Sequence, residues 1–529
     1  MNQASELPSA GSPRIDESTS PPRGLLRSPA AAWLVALLVA LAVSAVGLAS
    51  DLSLGDENYH FRKAAQFAEH RARLTHDPDY GPTVPPGIRY SDGPLWHGLL
   101  AVVFQMTGRS VWAAQLYQAL WVALLVGLAW MAGRELGGHR TGWWCLITAA
   151  TLPVTLFFGV VLYVETAMMA LIMLTAVLLF RRQLFLAGLA FGASFLVKPT
   201  MVLAFPAFVT ACLMADRGSP WRRLLGLALA GLGAAVMIGP DLLWRQVNFG
   251  TVGVVYLSRT GGDPNVPQAI RGMLLEKGPE TFYWTSSVLD PRDLAMYLGG
   301  LVALGTLVSL LTVRRHGRPA WVLWAVLAAL LVPHAAVMAV NHIPDIRYAM
   351  PVFPALVLLA ALAWTRLLEG HRGWTAVVVI LAVLQAAAVG LKAVETRRVE
   401  PQMKTALEQL GRLQVRRPPG YVIAAESLVT TYSGRPNLWA AINPGPFFFT
   451  WSPEKQWTIM DYYGVEFIAV TESRVYDDTA ARHTGGFPRS YVQALPAMPY
   501  VDGLPVIQGG GLTVYRIRPK PDTAPPASP

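Results

Sequence analysis

Six residues beyond a membrane-length apolar run that ends at Ser50, the chain reads Asp56-Glu57-Asn58-Tyr59-His60. Adjacent carboxylates can divide labour, one taking a proton from a hydroxyl while the other orients a partner or tunes its neighbour. Ionisable groups this close to lipid must face water, a cavity or a counter-charge, which marks them as site candidates. The competing reading is structural, with Asp56 opening a helix from Asn58 to about Arg73. Three more charges stand at the ends of apolar runs: Glu165 in Tyr163-Val-Glu165-Thr166, Lys198 in Phe195-Leu-Val-Lys198-Pro199, and Arg347 before Tyr348-Ala-Met-Pro351. Each also has a bland reading. Glu165 can serve a helix N-terminus, Lys198 can snorkel, and Arg347 can pair with Asp345. Carboxylates and isolated cations together are the parts needed to deprotonate a hydroxyl and hold a phosphate.

These residues need a scaffold, and composition names its class. Apolar residues make up 53% of the 529 and charged residues only 14%, with a mean hydropathy of +0.39. That is the balance of a polytopic membrane protein, mainly α. Eleven runs approach the length that crosses a hydrocarbon core of roughly 30 Å. They are Ala31 to Ser50, Ser110 to Gly133, Thr141 to Val161, Val164 to Phe180, Leu184 to Val197, Met201 to Ala215, Leu224 to Leu243, Leu294 to Val313, Ala320 to Val340, Tyr348 to Trp364 and Trp374 to Leu391. Pro94 to Thr107 is apolar too, but counting it as a span would reverse every later loop. It is read as a juxtamembrane helix.

With that choice, one set of loops holds Arg134/Arg140, Arg181/Arg182, Arg217/Arg222/Arg223, Arg314/Arg315/Arg318 and Arg366/Arg372. Basic loops are retained in the cytoplasm, so the N-terminus is expected inside. Asp56, Glu165, Lys198, the loop from Trp244 to Pro291, Arg347 and all that follows Lys392 then share the outer face. The net charge of +10 is explained by inner arginines and anionic lipid, with no call for nucleic acid. Cys145 and Cys212 stand alone within spans and offer no disulfide framework or Cys-based metal site.

The expected organisation is a disordered cytoplasmic tail over 1–24, a transmembrane unit over 25–394, a small α/β extracytoplasmic domain over 395–518 and a loose tail over 519–529. The α/β unit shows an amphipathic stretch (Met403 to Leu413), strand-like runs at Tyr421 to Ala425, Val465 to Val470 and Leu512 to Ile517, and a helix-like run from Glu454 to Tyr463.

The ordered set of Asp56-Glu57, Gly93-Pro94-Leu95, Glu165, Phe195-Leu-Val-Lys198-Pro199 and Arg347-Tyr348-Ala-Met-Pro351 resembles the GT-C membrane glycosyltransferases. It resembles in particular the glycosyltransferase family 39-like group, which includes protein O-mannosyltransferases and aminoarabinose transferases. The resemblance covers roughly Ala31 to Ala363. It implies a GT-C fold and an inverting transfer of sugar from a polyprenyl-phosphate donor to a glycan, lipid or protein hydroxyl at a bacterial-type plasma (inner) membrane. By the same resemblance Asp56 is the base, Glu57 and Glu165 support the catalytic site, and Lys198 and Arg347 hold phosphate. Tyr59, His60, Asp92 and Tyr348 join them in binding substrate. A divalent cation on Asp56, Glu57, His60 and Glu165 stays open, since their spacing is not diagnostic.

Two departures bear on substrate. Where aminoarabinose transferases carry Arg three residues after the first Asp, this chain has Tyr59-His60, and Gly93-Pro94 replaces Pro-Pro. The Asp-Glu-aromatic-His order also resembles α-glucosyltransferases that finish lipid-linked oligosaccharide, and no MIR-like module follows. The alternative of another class is a transporter or flippase using the same charges as relay groups.

The alternation of basic loops makes the topology testable. Reporter fusions at Gly138 and Gly420 should report cytoplasm and exterior, respectively. Alkaline phosphatase active at Gly138 and silent at Gly420 would invert the molecule and remove the site from the outer face.

Overall fold

A computed structural model describes residues 28–50, 55–71, 93–215, 219–249, 291–341, 347, 349–418, 420–425, 428–438, 448–449, 451–478 and 486–521. Asp92, Tyr348, the N-terminal tail and most of the loop from Trp244 to Pro291 lie outside this set.

The transmembrane part begins with α1 (Pro29–Leu48), whose N-cap Ser28 accepts a hydrogen bond from the Ala30 amide and whose first residue is proline. Its small residues Ala32, Ala36, Ala40 and Gly47 are buried. Leu34, Leu37, Leu38 and Leu41 on the other side are exposed, as expected where the neighbour is lipid. The buried stripe lies along α4 (Val111–Thr151): Trp33 covers Gly127 and Gly47 abuts Gln115, so the two helices run antiparallel. Between them, α2 (Gly55–His70) and α3 (Pro94–Thr107) form a pair on one face of the bundle. Because α1 ends and α4 begins at that same face, α3 does not cross, as the loop charges require. Helix α2 starts at Gly55 instead of Asn58 and ends at His70 instead of Arg73, so Asp56 lies inside its first turn and is not the N-cap.

Helix α4 is two helices joined at a kink, with Gly137 non-helical and Gly138 at φ +83°, a conformation other residues rarely adopt. The expected Thr141 to Val161 span is not continuous either. Pro153 has no amide hydrogen and drives Leu152 to an extended conformation, so α4 stops and α5 (Pro153–Val160) restarts. The bundle continues with α6 (Glu165–Phe180), α7 (Leu184–Val197), a 3-10 turn (Pro199–Ala204), α8 (Phe205–Ala215), α9 (Pro220–Phe249), α10 (Pro291–Leu311) and α11 (Val313–Asn341). A second 3-10 turn (Met350–Val352) leads into α12 (Phe353–Leu367), and α13 (Arg372–Arg397) closes the bundle. Among the described residues, five helices are long and apolar enough to span a membrane and five more are shorter. With α4 counted as two across its kink, they correspond to the eleven expected runs.

Arginine loops meet on the face opposite α2 and α3. Arg181 donates to Glu135 at 2.8 Å, Arg140 to the Leu368 carbonyl at 2.5 Å, and Arg318 to the Met214 carbonyl at 3.1 Å.

Beyond α13 come α14 (Pro401–Arg412) and a four-stranded sheet in the order β1 (Tyr421–Ile423), β2 (Val465–Thr471), β6 (Leu512–Arg516), β5 (Ile507–Gly509). β1 and β2 are parallel, whereas β6 runs antiparallel to both of its neighbours. Central β2 is buried on both sides, which is why its middle, Phe467 to Val470, is apolar without alternation. Phe467 and Ala469 face the cluster containing Leu407 and Leu410 of α14; Ile468 and Val470 face the one containing Ile459 and Met460. Those two belong to α16 (Pro453–Tyr462), which follows the short α15 (Leu428–Ser433).

Helices α7 and α9 pack through glycines. A Cβ on Gly188 would lie 1.9 Å from the Ala230 carbonyl oxygen, and one on Gly192 would lie 2.8 Å from the Met237 Cβ. Such small-residue spacing allows close backbone approach in the membrane. Gly188→Ala should therefore lower the melting temperature of the detergent-solubilised protein. Gly231→Ala, where nothing lies within 4 Å, should leave it unchanged or raise it, since alanine is favoured over glycine in a helix by about 1 kcal/mol. Equal effects of the two substitutions would refute this packing.

Candidate functional site

The site is assembled around the turn between α5 and α6. Val161, Leu162, Tyr163 and Val164 are buried with almost no regular structure, and the Tyr163 amide bonds back to the Val161 carbonyl at 2.9 Å. Buried irregular backbone needs side-chain partners. Gln118 of α4 supplies them, its Nε2 donating to the carbonyls of Phe158 (2.7 Å) and Tyr163 (3.0 Å) and reaching Thr166 Oγ1 at 3.3 Å. Gln115, one turn earlier, donates to the Val160 carbonyl at 3.0 Å.

Leu162 and Tyr163 of this turn, and Glu165 just after it, then meet candidate groups. The Leu162 amide donates to Glu57 Oε1 at 3.1 Å. The Tyr163 ring stands edge-on to His60, 5.8 Å between centroids, and the Arg347 guanidinium lies over the same ring, 5.5 Å from its centroid. Glu165, first residue of α6 and 2% exposed, accepts from Lys198 Nζ at 2.5 Å. Lys198 is itself only 13% exposed, so it turns inward to a carboxylate and does not snorkel. Its backbone is extended (φ −144°, ψ 109°) between the end of α7 and the 3-10 turn that Pro199 opens.

Glu57 is fully buried and its Oε1 also accepts from Arg397 Nη2 at 2.5 Å. Arg397, the last residue of α13, is fully buried as well and donates through Nη1 to Ser50 Oγ (2.5 Å) and the Gly47 carbonyl (3.4 Å). Asn58 accepts from Thr431 of α15, so the last residue of α13 and the segment beyond it touch α2 at two consecutive residues.

His60 forms a second buried unit with His97 of α3, Nδ1 to Nε2 at 2.9 Å. His97 Nδ1 is 3.2 Å from the Gly93 carbonyl, which only accepts, so Nδ1 of His97 carries the hydrogen. In a neutral pair His97 Nε2 is then the acceptor and His60 Nδ1 the donor. Gly93 must be glycine: a Cβ there would fall 1.7 Å from the Leu196 carbonyl oxygen, two residues before Lys198. Nearby, Lys63 Nζ donates to the Tyr59 hydroxyl at 3.0 Å and lies 5.3 Å from its ring centroid.

The structure thus brings together Glu57, Tyr59, His60, Glu165, Lys198 and Arg347 on one face. Asp56 belongs by backbone to the first turn of α2, while its side chain, like Asp92, Tyr348 and Asp345, is outside the described residues. Arg397, His97 and Gln118 did not stand out in the sequence. His97 sits in an apolar helix, and Arg397 adjoins the exposed Arg398 in a run of charges with no local mark to separate them. Among the described residues no group of three His, Cys, Asp or Glu could hold a metal ion.

Residues 91–244, which carry Gly93, His97, Gln118, Glu165 and Lys198, match the family model for dolichyl-phosphate-mannose-protein mannosyltransferase. No curated protein matches the sequence. Among solved structures, ArnT from Cupriavidus metallidurans bound to undecaprenyl phosphate is similar over 91% of this chain and 97% of its own, at 15% identity and a TM-score of 0.62. The chain has the GT-C membrane fold. The archaeal oligosaccharyltransferase AglB from Archaeoglobus fulgidus, in complex with an inhibitory peptide and a dolichol-phosphate, shares the GT-C fold at 13% identity and a TM-score of 0.51, over 83% of this chain and 69% of that one. The resemblance carried by the ordered acids and cations is borne out.

Gln118 holds the turn on which the other contacts depend. Gln118→Met keeps the volume but leaves the Tyr163 carbonyl without its amide donor, at about 1–3 kcal/mol for a buried group, while the Phe158 carbonyl keeps the Thr166 hydroxyl. Thermal stability in detergent should fall by several degrees. An unchanged melting temperature would show that the turn stands without Gln118.

Proposed function

We propose that this protein is a membrane glycosyltransferase that moves a sugar from a polyprenyl-phosphate donor to an acceptor hydroxyl at the extracytoplasmic face, with inversion. The observation that carries this reading is the buried Glu165–Lys198 pair, joined through the Tyr163 turn to Arg347 and to the helix of Asp56 and Glu57. Acids and cations are there within one small region, matching the two halves of the reaction. The similar structures include proteins solved with undecaprenyl phosphate and with dolichol-phosphate, and they are transferases, which favours this reading over a transporter. The arginine loops that meet on the opposite face support a cytoplasmic location for that face, and hence an outward site in a bacterial-type plasma membrane.

In this mechanism Asp56 takes the proton of the acceptor hydroxyl as its oxygen attacks the anomeric carbon from the side opposite the phosphate. The bond between that carbon and the phosphate oxygen breaks, and the configuration inverts. The departing lipid phosphate gains negative charge, which Lys198 and Arg347 stabilise. Glu165 orients Lys198, and His60 with Tyr59 borders the acceptor side. The acceptor is a glycan, a lipid or a protein hydroxyl.

Membranes containing the protein, assayed against a panel of radiolabelled polyprenyl-phosphate sugars, should transfer one of them. Asp56→Asn should cut turnover by about 10²- to 10⁴-fold while the protein remains folded. Lys198→Ala should weaken donor binding and slow phosphate departure together, a loss of about 1.5–3 kcal/mol, with Lys198→Arg restoring only part. Wild-type turnover in the Asn variant would move the base elsewhere, and wild-type donor affinity and turnover in Lys198→Ala would take the phosphate away from this lysine.

A further inference from the structure

We propose that Arg397 is a positioning residue for sugar transfer, acting through Glu57 to set the place of helix α2 and with it the backbone of Asp56. This rests on the transferase reading above and adds to it a role for the junction between the last span and the C-terminal sheet region.

The first support is the burial of the pair. Glu57 and Arg397 are both fully buried and 2.5 Å apart. A carboxylate so placed is strongly destabilised unless a charge and hydrogen bonds compensate it, and removing one partner of such a pair leaves the other uncompensated. Arg398, the next residue, is exposed, so the burial of Arg397 is specific to its position.

The second is where the guanidinium fork ends. Besides Glu57 it binds Ser50 Oγ and the Gly47 carbonyl, at the C-terminal end of α1, where a cation complements the helix dipole. Glu57 in turn takes the Leu162 amide. One side chain therefore ties together the end of α1, the first turn of α2, the central turn and the end of α13. A planar fork can serve several acceptors at once, whereas an ammonium on a flexible stem cannot hold the same geometry.

The third is independent of charge. Thr431 of α15 donates to Asn58, the residue after Glu57. Residue 57 is held from the last residue of α13 and residue 58 from the chain beyond it, and Asp56 precedes them in the same helical turn. Glu57 on this account neutralises Arg397 and carries position; Asp56 is left to do the chemistry.

The test is a double-mutant cycle on the purified full-length protein: wild type, Arg397→Gln, Glu57→Gln and the double variant. Turnover, donor KM, the pH profile of kcat and the melting temperature are measured for each. Each single variant should lose turnover by about 100-fold, the scale of a displacement near 1 Å in a reacting group, with donor KM little changed because the phosphate cations are untouched. The double variant, with no buried charge to strand, should recover to within about tenfold of wild type, regain melting temperature, and keep the wild-type inflection in its pH profile. Arg397→Lys should fall between Gln and wild type.

A double variant that is as inactive as Asp56→Asn, or that does not fold, overturns the assignment, since the carboxylate would then be needed for itself. Wild-type turnover in Arg397→Gln overturns it as well. If the wild type transfers no sugar from any polyprenyl-phosphate donor, the transferase reading fails and this assignment with it; an active wild type with an unrescued double variant defeats this assignment alone.

Discussion

The architecture of the site depends on a short buried stretch that has no regular structure of its own. Between α5 and α6 the backbone from Val161 to Val164 lies deep in the bundle, where unpaired peptide groups are costly, and the amide of Gln118 on α4 satisfies it. Once that turn is held, the remaining geometry follows residue by residue: Leu162 offers an amide to Glu57, Tyr163 a ring to His60 and Arg347, and Glu165 a carboxylate to Lys198. Groups distant in sequence become neighbours because they touch Leu162, Tyr163 or Glu165, within four residues of one another. Pro153 interrupts what would otherwise be a plain span and opens the short helix α5 that ends at this turn.

Charge is handled by pairing. Glu57 with Arg397 and Glu165 with Lys198 are each neutral as pairs, which is the arrangement that makes buried ions tolerable near lipid. The two pairs differ in use. Glu57 is engaged on Oε1 by both a guanidinium and a backbone amide and is fully enclosed, so its partners hold it in place. Lys198 keeps 13% of its side chain exposed and carries a single-point ammonium, which can exchange a carboxylate for a phosphate without rebuilding the backbone.

Much of the scaffold was legible in the sequence. Apolar run length located the membrane helices, and arginine placement kept Pro94–Thr107 out of the membrane; both depend on the bilayer as a uniform solvent, so local composition suffices. Candidate groups were legible where an ionisable residue stands at or just beyond the end of an apolar run, as with Glu57, Glu165, Lys198 and Arg347. The site was not legible where the partner lies in a run of its own kind. Arg397 stands among charged residues at the end of α13, and Gln118 is a polar residue whose three contacts lie 40 to 48 positions away. The break at Leu152-Pro153 could have been read from the proline, but a span scored by hydropathy alone passes over it.

Both proposed phosphate cations occupy the same kind of place. Lys198 precedes a 3-10 turn opened by Pro199, which leads to α8 beginning Phe205-Pro206; Arg347 precedes a 3-10 turn containing Pro351, which leads to α12 beginning Phe353-Pro354. Each break turns the chain back into the membrane while leaving the cation on the rim. A lysine within α7 would have to point into packed helix or lipid, and one within the 3-10 turn would follow its tight register. At the extended residue between them the side chain is free of both constraints and can turn toward the bundle axis, where Glu165 meets it. Gly93 completes the arrangement from the other side. Without a Cβ the start of α3 rests against the Leu196 carbonyl, so the helix carrying His97 is seated by backbone contact two residues from Lys198.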